Sequence, residues 1–568
     1  MRKILGIRYG HDAAASLVID GKIIVDVAEE RFTRLKHDGS FPLNAIRFCL
    51  EYAGITTLDL DALAIPARNM SDEFGLHFSH PAMDICPPPA EPQGFQAKLK
   101  ARLCGAPARK KLRLPLYMQP MQLSEHCQII NYHHHKCHAA SAYYTSGMKQ
   151  EKVLVAVLDG RGDGESTSFW EGRDNGLTKL KSWGAEASLG WFFSAATEAL
   201  GWRHGGNEWK TMGLAPYGTP HPGALDGLHP VFKDGELVTP YPFQKIYRLP
   251  ERGVNHYHMP DAAKLSPILE KLGREDFAAE AQRVLEEQAL KAVIPWLSKV
   301  GTRKMCCAGG LFQSVKLNQR VWETGALDEQ WIFPNPGDAG LASGAALLAY
   351  YEANPKAPNE RQQDMYLGPE FTDKEIEDIL NERKLTYTKY ADAIPKVAEY
   401  LADNKIIGWF QGRMESGQRA LGNRSILMSP LRAQNKDIIN AAVKFREPFR
   451  PFCPSIMEEK REDYIANGRD ERYMITSFDV TEEKREAIPA VVHVDGTLRP
   501  QTVVKSINPR YHALIKAFGD TTGEYVLLNT SFNVRGEPIV CTPREAIRCF
   551  YDNGLDVLVL GDYMITKA

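Results

Sequence analysis

The chain has 568 residues, 43% hydrophobic and 25% charged, with 69 Lys+Arg against 71 Asp+Glu for a formal net charge of −2 at pH 7. That length exceeds one ordinary core and predicts at least two domains. The near-neutral balance argues against a chain-wide polyanion binder, and no apolar run is long enough to span a membrane. Ten cysteines lie scattered without a Cys-x-x-Cys pair, and the first residues enter a strand pattern without a secretory leader. Together these predict reduced thiols and a cytoplasmic protein with no membrane partner.

Residues 4–9 read as a strand, followed by a turn at Gly10-His11-Asp12. Apolar stretches at 15–19 and 23–28 flank Asp20-Gly21, a strong hairpin signal. Domains of the actin and sugar-kinase type open with such a hairpin. Residues 153–158 repeat the theme, running through the Gly-rich loop Asp159-Gly-Arg-Gly-Asp163 into a second strand at 166–170. Two such openings predict duplicated half-domains facing a nucleotide cleft. Between them, residues 92–124 contain no acid while Lys98, Lys100, Arg102, Arg109, Lys110, Lys111 and Arg113 cluster. A solvated basic surface is the first reading, and contacts to the phosphates of a large substrate the second.

A strand at 305–308 meets Gly309-Gly310 and a helix carrying Lys316-Leu-Asn318. Residues 337–349 are rich in small side chains and read as a helix whose N-terminus meets a phosphate. A polar, Pro-punctuated linker at 353–365 divides a domain at 1–352 from one at 366–568. The second is read as α/β, with a helix start at Thr372-Asp-Lys-Glu, a short β stretch at 385–388 and strands at 406–410, 525–529 and 557–560.

Two clusters carry chemistry. His134 and His138, in His133-His-His-Lys-Cys-His138, stand one helical turn apart and so present two nitrogens on one face. A surface run of histidines would look similar. Asp159 and Asp338, the latter in Asn335-Pro-Gly-Asp-Ala-Gly340, could supply oxygens, and two His with two Asp suit a borderline divalent ion such as iron, manganese or zinc. In the second domain, cations stand among glycines and prolines: Arg413, Arg419 and Arg424 in one loop, Lys444, Arg446 and Arg450 in another, and Arg499 in a third. A strand there ends in Asn529-Thr-Ser-Phe-Asn533. Arginine forks with this framing predict an anion pocket rather than a solvated charged face.

The chain closely resembles the NodU/TobZ-type O-carbamoyltransferases. The matching phrases are Gly10-His-Asp-Ala, Glu29-Glu-Arg-Phe-Thr-Arg-Leu-Lys-His37, His134-His-x-x-His138, Lys210-Thr-Met-Gly-Leu-Ala-Pro-Tyr217, Gly309-Gly310 with Val315-Lys-Leu-Asn318, Gly412-Arg-Met-Glu-x-Gly-x-Arg-Ala-Leu-Gly-Asn-Arg-Ser425 and Asn529-Thr-Ser-Phe-Asn533. The resemblance runs from the first strand to the last. It implies an N-terminal duplicated actin/sugar-kinase-like domain, shared with the tRNA threonylcarbamoyl-transfer enzymes, followed by a YrdC-like α/β domain. It further implies that ATP and carbamoyl phosphate yield carbamoyl adenylate in the second domain, and that the first transfers the carbamoyl group to an acceptor hydroxyl.

By the same resemblance, His134, His138, Asp159 and Asp338 hold the metal, and Arg419, Lys444, Arg450, Arg499, Asn529 and Ser531 contact carbamoyl phosphate. Gly160, Gly162, Lys210, Gly309, Gly310 and Asn318 line the nucleotide site, and His11 is the catalytic base with Asp12 and Lys36 beside it. Two positions depart from the family pattern. Ser314 stands where an Asn is usual, and Gln418 replaces a Pro that would stiffen the Arg419 loop.

The acceptor is read as a small-molecule or natural-product alcohol, with hydroxymethylated cytosine in DNA as the minority alternative. A sugar-kinase-like phosphotransferase would leave the second domain's cations without purpose. A non-catalytic nucleic-acid-binding protein would rest on the basic stretch. The sequence carries no signal of oligomeric state.

Overall fold

A computed structural model describes residues 2–66, 123–242 and 258–567. The basic stretch with Lys110 and Lys111 lies outside the described residues. Two compact units are present, one formed by Met1–Glu29 with His37–Gln362, the other by Glu30–Lys36 with Gln363–Ala568.

The first unit contains two five-stranded sheets. One is built from β1 (Lys3–Arg8), β2 (Ala14–Ile19), β3 (Lys22–Ala28), β4 (Ala62–Ile65) and β5 (Gln128–Asn131), in the order β3-β2-β1-β4-β5. The other contains β6 (Val153–Gly162), β7 (Glu165–Arg173) and β8 (Gly176–Trp183). Beyond the small hairpin of β9 (Val231–Lys233) and β10 (Glu236–Thr239), it is completed by β11 (Lys304–Ala308) and β12 (Glu329–Ile332), in the order β8-β7-β6-β11-β12. In both sheets the first strand is central, the next two follow it antiparallel on one side, and the last two lie parallel on the other. Identical order and direction in the two sheets are the signature of the duplicated actin/sugar-kinase-like fold. The β2–β3 hairpin turns at Asp20 (φ 49°) and Gly21 (φ 82°), as its sequence predicts.

Two helices lie between the sheets: α1 (His134–Tyr144), which packs on β6 and β11, and α2 (Leu341–Ala353), which packs on β1, β2 and β4. Glycines let them approach. A Cβ on Gly6 of β1 would fall 1.9 Å from the Ala342 carbonyl oxygen, and one on Gly344 of α2 would fall 2.0 Å from that of Cys137 on α1. Gly344→Ala should therefore cost about 1–3 kcal/mol through overpacking. The loss would be read as a lower urea midpoint, and an unchanged midpoint would show that the two helices yield freely.

Three expectations need correction. The strand opening the second sheet continues to Gly162 instead of ending before a Gly-rich loop, because its pairing with β7 shifts between Leu158 and Gly162 and resumes at Gly162–Glu165. The segment Glu30–Lys36 packs with the second unit. There Arg31 donates to the Gly417 carbonyl (2.5 Å), Arg34 donates to the carbonyls of Pro538 (2.7 Å) and Ile539 (2.8 Å), and Phe32 joins Met414, Ala420, Ile539 and Cys541. Finally, the segment read as a linker is tied to the first unit through Gln362, whose N–H donates to the Thr145 carbonyl (2.9 Å). Asn175 donates in turn to the carbonyls of Pro355 and Ala357.

The second unit is built on an eight-stranded sheet. Its strands are β13 (Thr388–Lys389), β14 (Ile407–Phe410), β15 (Arg424–Met428), β16 (Cys453–Met457), β20 (Gln501–Val503), β21 (Val526–Ser531), β22 (Val557–Leu560) and β23 (Tyr563–Thr566), in the order β13-β23-β22-β14-β15-β21-β16-β20. A small sheet of β17 (Ile465–Ala466), β18 (Phe478–Val480) and β19 (Thr497–Leu498) completes the unit. The β stretch expected at 385–388 shrinks to the two residues of β13, which pair with β23. The helix expected at Thr372 forms with a full capping box between Thr372 and Glu375. Helices Ile394–Ala402 and Pro509–Thr522 cover one sheet face over a core that includes Trp409, Leu427, Leu514 and Phe518.

Candidate active site

In the first unit, His134 and His138 sit in the first two turns of α1, which is capped by Asp163 accepting the His134 N–H (2.7 Å). Their Nε2 atoms lie 3.2 Å apart. Asp159 Oδ2 is 3.3 Å from His134 Nε2 and 4.0 Å from His138 Nε2, and Asp338 Oδ1 is 3.5 and 3.6 Å from the same two atoms. One donor atom from each of the four residues thus falls within 4.8 Å of every other. Donors bonded at 2.0–2.1 Å around a tetrahedral ion stand about 3.3 Å apart, so this N2O2 set fits a divalent transition metal.

Each carboxylate is aimed by its second oxygen. Asp159 Oδ1 accepts the Gly310 N–H (3.1 Å), and Asp338 Oδ2 accepts from Arg8 (2.6 Å). Burial opposes charge on His134, but Asp338 and Asp159 outweigh it and push its pKa up to about 10, whereas burial drives His138 down. The two acids therefore favour positive charge at His134. Arg8 escaped the sequence reading. Its signal is a cation inside an otherwise apolar strand, where it is 5% exposed.

The proposed nucleotide residues divide. Gly160, Gly309 and Gly310 adjoin Asp159: the Ser188 hydroxyl donates to the Gly160 carbonyl (2.7 Å), and Gly309 adopts φ 100° with its N–H on the Pro336 carbonyl. Gly162 makes room for the histidine, since a Cβ there would fall 2.2 Å from the His134 ring. Lys210, on helix Glu208–Leu214, lies 5.7 Å from the Trp202 ring and 5.5 Å from that of Trp209. Asn318 is buried and donates to the Phe312 carbonyl (2.8 Å). Ser314, the departure from the family pattern, caps that helix by accepting the Leu317 N–H.

His11 is exposed in the turn after β1, with Nε2 3.4 Å from Asp12 Oδ2. The residue that meets Asp12 most closely is His37, whose Nδ1 is 2.7 Å from Oδ1. Burial would raise the Asp12 carboxyl, but His11 and His37 outweigh it and hold it below its ordinary range. Lys36, expected beside Asp12, falls in the Glu30–Lys36 segment of the second unit, where its charge acts on Lys444. The backbone explains the switch: His37 takes a left-handed φ of 58°, and the chain changes unit there.

In the second unit the pairing gathers the cation loops. Ser425 opposes Ser531, Asn529 opposes Cys453, and Ser455 opposes Gln501. The starts of β15, β16 and β20 and the end of β21 therefore share one edge of the sheet, as do the loops entering or leaving them. Lys444 ends a π-helical turn (Asn440–Lys444) followed by Phe445 at φ 45°. Its ammonium is buried and donates to the Ser531 carbonyl, the Asn533 carbonyl (3.0 Å) and Asn533 Oδ1 (2.9 Å). The Ser531 hydroxyl donates to the same Oδ1 (2.7 Å). Asn529 donates to the Ala420 carbonyl (3.2 Å), steadying the Arg419 loop.

Arg499 points Nε (3.0 Å) and Nη2 (2.7 Å) at Cys453 Sγ. Burial, then Arg499, drives Arg419 down to about 9; burial, then Arg446, drives Arg450 down to about 8 and Lys444 well below its ordinary value. The acid beside Arg450 is Glu447, 3.7 Å away. Buried Lys444 and four part-buried arginines gathered here form a site suited to an anion. Arg446 joins this set, stacked 4.1 Å from the Phe452 ring. Arg424 leaves it: fully buried, it donates to the carbonyls of Gln411, Gly412, Asn423, Pro369 and Cys541 and holds the loop together. Arg413 donates to the Gly368 carbonyl (3.3 Å).

The chain thus joins a duplicated sugar-kinase-like unit, carrying a two-His, two-Asp cluster, to an α/β unit with a cluster of cations. Residues 3–347 match the carbamoyltransferase N-terminus family and residues 398–567 the carbamoyltransferase C-terminus family, and the chain belongs to the carbamoyltransferases. Among its relatives, Nodulation protein NolNO of Sinorhizobium fredii is 35% identical over 577 residues, covering 98% of this chain and 79% of that one. An uncharacterized protein of Synechocystis is 36% identical, covering 100% and 97%, and one of Methanocaldococcus jannaschii is 32% identical, covering 100% of both. Membership sets aside the phosphotransferase and the non-catalytic nucleic-acid-binding readings. Among the described residues no helix is long and apolar enough to cross a membrane.

Proposed function

We propose that the protein is an ATP-dependent O-carbamoyltransferase that works through carbamoyl adenylate. The observation that carries this reading is the pocket of Arg419, Lys444, Arg446, Arg450 and Arg499 at one sheet edge, which offers more positive charge than a single phosphate needs. Carbamoyl phosphate and the phosphates of ATP supply the matching anions. Carbamoyl phosphate releases phosphate to water, the resulting carbamate oxygen attacks the α-phosphorus of ATP, and pyrophosphate leaves. The acceptor oxygen then bonds to the carbamoyl carbon and AMP leaves.

The arginine forks and Lys444 hold the reacting anions and offset their mutual repulsion, so charge is stabilised without reorganisation. In the first unit, neutral His11 takes the acceptor's proton as its oxygen attacks, an effect of about 10²–10⁴-fold in general. His134, His138, Asp159 and Asp338 would hold the divalent ion, with iron preferred and manganese or zinc as alternatives. Bound there, such an ion supplies Lewis-acid stabilisation of the adenylate phosphate.

The acceptor is an alcohol-bearing small molecule. Incubation with ATP and labelled carbamoyl phosphate should yield AMP and pyrophosphate, and product formation as ADP would refute the adenylate. A screen of aminoglycosides, macrolides, oligosaccharides and hydroxymethylcytosine DNA should place label on one of the small alcohols. Label on the DNA alone would overturn that acceptor class.

A further inference from the structure

His37 has no role in the scheme above, yet the fold fixes it from three directions. Its Nδ1 lies 2.7 Å from Asp12 Oδ1, and its ring stacks on that of His11 at 5.3 Å and 25°. On its far edge a Cβ added to Gly206 would fall 2.4 Å from His37 Nε2, so the 205–207 loop abuts the ring. Glu208 anchors that loop by accepting the N–H groups of Gly205 (2.7 Å) and Gly206 (2.8 Å) and the Ser194 hydroxyl (2.8 Å). The backbone is pinned as well, with the Gly10 N–H on the Gly39 carbonyl (3.2 Å) and the Ala13 N–H on that of Asp38 (2.8 Å). His37 holds its left-handed φ of 58° within this frame, a conformation costly for a residue with a side chain.

We propose that His37 is a positioning residue for carbamoyl transfer: its Nδ1–H holds one oxygen of Asp12 so that the other faces His11. Asp12 Oδ2 stands 3.4 Å from His11 Nε2, and its charge favours the proton of the neutral imidazole on that nitrogen. Nδ1 is left as the lone pair that receives the acceptor's proton. A carboxylate fixing the tautomer of a histidine base is the general logic, and His37 supplies the missing hold on the carboxylate. This inference rests on His11 as the base.

Two substitutions separate hydrogen bonding from space filling. His37→Asn keeps an N–H donor near the Nδ1 position and tolerates left-handed backbone, but loses the ring. His37→Phe keeps a ring against His11 and Gly206 but loses the donor. Each is compared with the full-length wild type in three measurements: carbamoyl-phosphate-dependent ATP–pyrophosphate exchange, transfer to glycerol against transfer to hydroxylamine, and the 15N shifts of the His11 ring. Exchange should be the same in all three proteins. His37→Phe should lower kcat with glycerol by roughly 10²-fold at unchanged KM, the cost of a misplaced catalytic group. It should spare hydroxylamine, whose nitrogen attacks without a base.

His37→Asn should stay close to wild type with both nucleophiles. His11 should be the Nε2–H tautomer in the wild type and in His37→Asn, and a mixture in His37→Phe. The proposal is overturned if His37→Phe keeps glycerol transfer and the wild-type tautomer while His37→Asn loses them. It is equally overturned if both variants lose transfer to both nucleophiles alike. Absence of exchange in the wild type would refute the adenylate reading instead, and the tautomer comparison would still decide the role of His37.

Discussion

His138→Ala should reduce bound divalent metal from about one equivalent per chain to a small fraction, since it removes one of the two imidazole nitrogens of the four-donor set. Carbamoyl transfer should fall with it by roughly 10²–10³-fold, the usual effect of removing one charge-stabilising element from a reacting centre. The electrostatics favour this outcome. Buried Asp159 and part-buried Asp338 stand within 4 Å of both imidazoles, and with Arg8 pairing only Asp338 the four-donor set still favours a cation between them. The control is His135→Gln. His135 is equally buried, but its Nδ1 is 2.8 Å from the Ser168 hydroxyl and its ring is not among the four donors. Elemental analysis of the purified variants distinguishes them, with His138→Ala nearly metal-free and His135→Gln loaded. Full activity after chelation of the wild type would remove the metal from the reaction.

Arg450→Met should abolish carbamoyl-phosphate-dependent ATP–pyrophosphate exchange, by roughly 10²–10³-fold or more, and should also stabilise the ligand-free protein. The two effects have one cause. Burial and Arg446 push Arg450 down to about 8, with Arg499 and Arg535 adding to the repulsion and Glu447, 3.7 Å away, offsetting part of it. Replacing a part-buried charge held among like charges by an apolar side chain removes that repulsion. A gain of about 1 kcal/mol would raise the unfolding midpoint of a unit of this size by about 2–4 °C. Inorganic phosphate should raise the wild-type midpoint and leave that of Arg450→Met nearly unmoved. Calorimetry with and without phosphate reads both shifts. A destabilised Arg450→Met that still responds to phosphate would mean that Arg450 is structural. Arg424 marks the contrast, because five carbonyls already occupy it and Arg424→Met should unfold its loop without any compensating gain.

Much of this was legible in the chain because it is local. The i,i+4 spacing of His134 and His138 needs only a helix to become a pair of ligands, and α1 begins at His134. Asp20-Gly21 needs only a two-residue turn. The strands expected at 406–410 and 557–560 become β14 and β22, central strands of their sheet. The Arg-rich loops could be recognised as anion-binding by composition, yet their roles could not be assigned. Arg419 and Arg424 are five residues apart in one glycine-framed loop, and one faces other cations while the other is spent on backbone carbonyls. Residue type and spacing are the same evidence for both.

Sequence alone determined the fold class, the metal-ligand candidates and the cationic character of the second unit. Each follows from hydrophobic period, turn chemistry or side-chain type within a few residues. Tertiary structure alone decided the partners. Arg8 reaches Asp338 across 330 positions, and His37 meets Asp12. Glu30–Lys36 packs with the second unit, and strand pairing between β15, β21, β16 and β20 brings four separated loops to one edge. Such contacts depend on where strands end and which neighbours they pair with. That is set by burial of the whole sheet, so no local pattern along the chain encodes it.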